Sequence, residues 1–308
     1  MADFNPFSIA RAKPSLLSYI HNKISGYSKG RPLDVIHASD VTKPDFCARR
    51  RALQCLEHDS PKDEFLTTCQ AKVFDEGRMY EAQLREVWAG DLAVGDWLCG
   101  WCGGEHQLMR KPTSCYHCHR PAPMIYREVR FTSRVTGVSC GVDTMLLLPG
   151  QQQLTMVEVK TIASHSTQKG TPTFGALIGA LAEHHARSSW YLRLIAESGS
   201  PLAEYIDTTK ALIFYISKGY GETTPELGAL GILDKQTPFK EYWVDRDDEL
   251  SRAYDEKALP LGTFMRTGVI PERICQGPDD PKAKKCPKVS SCFTNVYPPG
   301  QVFQRWRV

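Results

Sequence analysis

Three side chains in one short stretch carry readily usable chemistry: Asp143, Glu158 and Lys160, within GVDTMLLLPGQQQLTMVEVKT (141–161). Two apolar runs, TMLLL and LTMVEV, flank a Pro-Gly-Gln turn, which is the pattern of a β-hairpin. Side chains alternate along a strand, so Glu158 and Lys160 share one face while Val157 and Val159 take the other. An aspartate opening one strand and a glutamate on the next can converge on a point. A hard divalent cation such as Mg2+ takes oxygen ligands and leaves places for water and phosphate. Asp143 and Glu158 supply two carboxylates, and the carbonyl of Val159 a third oxygen. Lys160 then positions or activates a water, or offsets charge in a phosphoryl transition state. The plainer alternative has Asp143 capping a turn and Glu158 and Lys160 on a solvated strand face.

The cysteines suggest a second chemistry. No apolar run at the N-terminus is long enough for a signal peptide, and none elsewhere reaches membrane-helix length. A cytoplasmic protein with no membrane contact is therefore expected. Eleven cysteines in such a chain point to metal ligation or buried thiols rather than disulfides. Cys99, Cys102, Cys115 and Cys118 form C-x2-C-x12-C-x2-C, two knuckles that offer four soft ligands to a tetrahedral Zn2+. His106, His117 and His119 are alternative ligands, and buried free thiols the alternative state. Such a ribbon either touches nucleic acid through Arg110, Lys111, His119 and Arg120 or staples an insertion.

The elements that must position these residues follow from periodicity. Helices are expected over 15–24, within 39–56, over 71–90 with Val73, Met79, Leu84 and Val87 as its apolar face, over 174–197 and over 247–268. Strands are expected over 125–133, 137–148, 153–161, 211–219 and 239–247. The order implies an α/β fold, a central sheet flanked by helices. Composition, 42% hydrophobic and 24% charged, is that of a globular protein with a real core. The net charge of +3 is compatible with nucleic acid, and Lys and Arg cluster at 43–51, 282–288 and 305–307.

Asp143 followed by Glu158-Val159-Lys160 resembles the PD-(D/E)XK nuclease superfamily. Gly141-Val142-Asp143 matches the G-x-D of its RecB-like and lambda-exonuclease-like families, and Gly77-to-Glu81 matches their upstream G-x-x-x-E helix motif. The resemblance adds Glu81 to the acidic set. A further family motif, Q-x-x-x-Y, aligns on Tyr191 and places Arg187 where Gln is expected; a phosphate contact is one role for it, a helix-surface position the other. One cysteine before the core, Cys47, and three after it, Cys275, Cys286 and Cys292, resemble the ligands of iron–sulfur nucleases of the CRISPR-associated Cas-four and AddB types. The resemblance thus implies a [4Fe–4S] clamp joining the two chain ends, with a second zinc site or free thiols as the alternatives. Cys55, Cys69 and Cys140 remain as buried small hydrophobes.

The resulting expectation is a restriction-endonuclease-like core, a mixed sheet flanked by helices, over 39–94 and 124–270. A helical extension precedes it (1–38), a zinc ribbon interrupts it (95–123) and a Cys-rich iron–sulfur segment follows (271–308). The implied function is an Mg2+- or Mn2+-dependent DNA exonuclease, with Glu81, Asp143, Glu158 and Lys160 at its centre. Arg49, Arg50, Arg51, Lys282, Lys284, Lys285 and Lys288 would track phosphate, or form a solvated basic patch. DNA, a second copy of the chain or a recombination or repair protein are the implied partners. Two rivals stand: a DNA-end-binding subunit with little or no cleavage, and a zinc-ribbon binding protein whose E-x-K is accidental.

Overall fold

The computed structural model describes residues 35–57, 68–163, 172–219, 222–223 and 236–294. The helix expected over 15–24 and the basic residues at 305–307 lie outside them. In chain order the elements are β1 (Ile36–His37), α1 (Ala38–Val41), α2 (Ala48–Leu56) and α3 (Thr68–Gln83), which runs into a π-helical turn (Leu84–Trp88). Next come β2 (Ala93–Cys99), β3 (Glu105–Arg110), β4 (Met124–Arg127), β5 (Val129–Thr132), β6 (Val138–Val142), β7 (Thr144–Leu146) and β8 (Leu154–Ile162). Then follow α4 (Ala182–Glu197), a 3-10 turn (Pro201–Tyr205), β9 (Ile206–Ser217), β10 (Glu222–Thr223), β11 (Gln236–Thr237) and β12 (Phe239–Asp245). Helices α5 (Asp248–Thr267), α6 (Pro281–Lys284) and α7 (Val289–Thr294) complete the described chain.

The expected mixed sheet flanked by helices is present. Seven strands pair in the order β12-β9-β8-β7-β2-β3, with β4 also on β2; β8 and β9 are parallel and the other pairs antiparallel. A smaller sheet, β1-β6-β5, diverges from it. The main core lies on one face, where Met156, Ile213 and Tyr215 meet Trp190, Leu194 and Ile195 of α4 and Leu261 and Phe264 of α5. The opposite face is a thinner layer in which Val157, Val159, Leu212 and Ile216 pack against Leu84 after α3. This division matches the alternation read along 157–160. Asp247 caps helix α5, accepting from the N–H groups of Glu249 (2.9 Å) and Leu250 (3.0 Å), and Gly268 ends it at φ 73°.

Three local readings need correction. Val73, Met79 and Val87 are exposed; the inward side of α3 and its π turn is Ala71, Tyr80 and Leu84. One apolar residue per turn was too weak a pattern to fix the face. The helix expected from 174 starts at Ala182, because the carbonyls of Phe174, Gly175 and Leu177 turn outward to the Lys240 ammonium at 2.9, 3.3 and 3.0 Å. Finally, the strands expected over 125–133 and 137–148 each break, at Glu128 and at Asp143.

Candidate active site

Those two breaks create the site. Strands β7 and β4 lie along the same edge of β2, one after the other: β7 faces Ala93–Val94 and β4 faces Asp96–Cys99. Where they meet, the chain leaves the large sheet for the β5–β6 hairpin and returns. Strand β7 is only three residues long and ends opposite Val157. Beyond that point β8 lacks a strand on this edge among the described residues, leaving a notch in the sheet. The Val159 N–H that a longer β7 would pair is taken by the Asp143 side chain, Oδ2 at 3.4 Å. At the same junction Gly141 admits Glu128: a Cβ there would lie 2.4 Å from Glu128 Oε2.

Glu158 and Lys160 enter the notch from β8. The Lys160 ammonium is held by Glu158 Oε1 (2.5 Å), the carbonyl of Val159 (2.9 Å) and Asp143 Oδ2 (3.7 Å). Three protein oxygens thus converge on one positive charge, and they come from the three residues that the sequence nominated for a cation. From the α4 side, Arg187 Nε reaches Glu158 Oε1 at 3.3 Å. From the α3 side come Glu81 and, one turn on, Arg85, whose guanidinium lies 3.9 Å from Glu81 Oε2 and donates to the Asp143 carbonyl at 3.1 Å. Arg85 also stacks on the Tyr126 ring, 4.1 Å from its centroid.

Electrostatics divide the acids. Burial raises the Asp143 carboxyl well above the usual range, and the charges of Glu158, Glu81 and Glu128 push it further against Lys160. Burial also pushes Glu158 up, but Lys160 and Arg187 outweigh it and hold that carboxyl below its ordinary value. Glu81 is raised, mostly by burial. Acids separated in this way share one site and cannot all ionise without added positive charge. The oxygen-rich donor set, with two carboxylates and a carbonyl around one point, fits a hard divalent cation. As a set, the carboxylates of Glu81, Asp143 and Glu158 stand wider than the 4.8 Å within which the ribbon thiols gather.

The ribbon quartet is tighter. The Sγ atoms of Cys99, Cys102, Cys115 and Cys118 all lie within 4.8 Å of one another, with edges of 3.8 Å (Cys99–Cys118) and 3.6 Å (Cys102–Cys115). A tetrahedron with metal–sulfur bonds of about 2.3 Å has edges of about 3.8 Å. Backbone N–H groups of Trp101, Gly104 and His117 point at Cys99, Cys102 and Cys115 at 3.3–3.4 Å. The Cys102 backbone N–H leads in pulling the Cys99 thiol down to about 6. At Cys102 the Gly104 N–H also lowers, yet burial and the three neighbouring thiols push it up to about 12. Four thiolates so close require a cation. None of the three histidines belongs to the group, and His117 Nε2 instead contacts the Glu105 carbonyl at 3.0 Å. The quartet can bind a metal ion, and β2 carries it directly out of the large sheet.

Cys47, Cys275, Cys286 and Cys292 line one cavity between α2 and the C-terminal segment. Their sulfurs are spread more widely than those of the ribbon. Arg49 faces this cavity: its Nε donates to Cys292 Sγ (3.2 Å) and its Nη1 to the Pro271 carbonyl (2.8 Å). Arg50 pairs with Asp45 at 3.4 Å. Lys288 is buried against Glu57 at 2.7 Å and is therefore no surface cation. Lys282, Lys284 and Lys285 are exposed, and Lys284 lies 3.5 Å from Asp279. Cys55 and Cys140 are buried as expected, whereas Cys69 is exposed.

No protein-family model and no curated protein sequence matches the chain.

Sequence reasoning missed Arg85, Glu128 and His184. Arg85 carried a signal, being four residues after Glu81 and so on the same helix face. His184 sits one turn before Arg187 on α4 and bonds the Tyr215 hydroxyl at 2.8 Å, a partner invisible in the local sequence. Glu128 is brought to the notch only by the strand break. Arg187, offered as a phosphate contact or a surface residue, turns inward to Glu158.

Proposed function

We propose that the protein is a metal-dependent deoxyribonuclease acting from DNA ends. The observation that supports this best is the set of oxygens from Asp143, Glu158 and Val159 gathered around the Lys160 ammonium at a notch in the sheet. Asp143 and Glu158, with the Val159 carbonyl and Glu81 nearby, would hold Mg2+ or Mn2+. A bound divalent ion supplies an acidified water and charge neutralisation at the phosphodiester. Lys160, whose ammonium now sits among these oxygens, would yield that place to the ion and, from beside it, orient the attacking water and donate to a non-bridging phosphate oxygen. Arg187 keeps the Glu158 carboxylate charged and fixed, and Arg85 holds the backbone at Asp143. Water attacks phosphorus in line and gives up a proton to solvent, the P–O bond to the departing nucleotide breaks, and the leaving oxygen takes a proton from solvent.

In this reading the ribbon holds Zn2+ and the second cysteine cage holds a [4Fe–4S] cluster, a polynuclear group that needs a wider cage than a single ion. The test uses full-length, anaerobically purified protein. End-labelled linear DNA should be degraded only with Mg2+ or Mn2+, and a covalently closed circle should survive. Asp143→Ala and Glu158→Gln should lose cleavage by a factor of at least about a thousand while still binding DNA. Cleavage unchanged by either substitution overturns the assignment. A brown protein with broad visible absorbance supports the cluster; colourless protein with about two zinc ions per chain refutes it.

A further inference from the structure

The ribbon presents aromatic rings to solvent. Trp101 is 66% and Tyr116 62% exposed, more than any other large aromatic among the described residues. Each sits at a knuckle tip, beside Cys102 and Cys115 respectively, and those two sulfurs are 3.6 Å apart. Both rings are therefore carried on the two knuckles that meet at the metal site. Tyr116 touches only the edge of the His106 ring (centroids 5.2 Å), and no ring partner covers Trp101 among the described residues. Exposed Arg120 lies at the second knuckle, where its carbonyl accepts from the Cys115 N–H at 2.9 Å, and exposed Arg110 lies down the stem opposite Val94; neither makes an ion pair among the described residues, unlike Lys111 with Glu86 and Arg127 with Glu105.

The ribbon is also aimed. Val94 of β2 is paired with Met145, two residues past Asp143, and Cys99 is only five residues further along β2 in the direction of the notch. The mount is stiff. Trp97 is buried and donates from Nε1 to the Met109 carbonyl at 3.0 Å, and Leu108 N–H is held by Asp96 at 2.9 Å. Lys111 reaches back at 2.6 Å to Glu86, just past the helix that carries Glu81. Rings fixed in advance lose little freedom on binding.

We propose that Trp101 and Tyr116 form a stacking platform for the bases of single-stranded DNA, feeding the strand to the notch. The strand's destination rests on the nuclease reading; the platform itself does not. Charge selects stacking over phosphate tracking. A divalent ion on four thiolates leaves two negative charges, which offset the two unpaired arginines, so the ribbon's share of the binding should change little with salt. Stacking tolerates any base, as a degrading enzyme requires.

The test is fluorescence anisotropy with oligo(dT) and with an abasic strand of equal length. The protein is full-length Asp143→Ala, with no Mg2+ or Mn2+ added and no chelator, so that nothing is cut and the ribbon keeps its ion. Each ring removed, Trp101→Ala or Tyr116→Ala, should weaken oligo(dT) binding about tenfold. Trp101→Phe and Tyr116→Phe should restore most of it, and the abasic strand should bind like the double variant. Metal content equal to the parent's shows that the knuckles remain folded. The proposal falls if the double variant binds oligo(dT) as tightly as its parent. It also falls if the abasic strand binds equally well, or if the rings instead prove to mediate self-association by sedimentation with DNA affinity unchanged. Cleavage unaffected by Asp143→Ala in a separate assay would sink the nuclease reading and leave the platform standing.

Discussion

Arg187→Ala isolates the interaction that the sequence pattern could not have supplied. Arg187 Nε and Glu158 Oε1 are 3.3 Å apart, with side chains 23% and 5% exposed. Two unit charges at that distance attract by about 5 kcal/mol at an effective dielectric constant of 20. Breaking a buried pair costs about 3–5 kcal/mol when the survivor is left uncompensated. Glu158 is not so abandoned, because Lys160 stays 2.5 Å away. Arg187 Nε makes an ion contact without hydrogen-bond geometry, so the loss should fall to about 2 kcal/mol, below that of an abandoned buried charge. In a chain of this size that lowers Tm by about 3 °C, measured by calorimetry with no added divalent ion. Arg187→Lys should recover part of the loss, and saturating Mn2+ should recover more by neutralising Glu158. In a Glu158→Gln background, Arg187→Ala should cost almost nothing. Equal Tm losses in the two backgrounds would refute the pairing and return Arg187 to the helix surface.

Two glycines should respond oppositely to alanine. A Cβ at Gly77 would meet nothing within 4 Å among the described residues, so Gly77→Ala should stabilise α3 by about 1 kcal/mol in urea titrations. If DNA uses that clearance beside Glu81, the same variant loses cleavage. At Gly262 a Cβ would lie 2.4 Å from the Thr136 carbonyl oxygen, so Gly262→Ala should destabilise by about 2 kcal/mol despite its better helix propensity. Cys115→Ser should remove one metal equivalent per chain by elemental analysis. It should also red-shift tryptophan emission as the small core of Trp97, Cys99, Cys115 and Met124 opens. His184 is held down to about 4 by burial first and then by Lys160 and Arg187. The folded protein then binds fewer protons there than the unfolded chain. Stability from this group is complete above about pH 6.5 and is lost as pH falls towards 4, by up to about 3 kcal/mol. His184→Gln should flatten denaturation midpoints over that window; an unchanged slope would exclude His184 as the source.

Much of the site was legible because it is local. A period of two put Glu158 and Lys160 on one face whatever β8 packed against, and two C-x2-C knuckles brought four sulfurs together by turn geometry alone. Other features depended on partners far along the chain. Nothing near Glu128 or Asp143 announces that two long strands end there; they end because β4 and β7 share one edge of β2 and a second sheet diverges between them. Arg187, Arg49 and Lys288 read identically as helical or C-terminal cations, yet tertiary packing turns them to Glu158, Cys292 and Glu57. Val73, Met79 and Val87 read as core and lie in solvent. The sequence by itself determined which groups are neighbours along a strand, a turn or a cap, since those distances are set by covalent geometry. Only the tertiary structure decided which charges are buried together, because burial and pairing depend on which distant surfaces close over them.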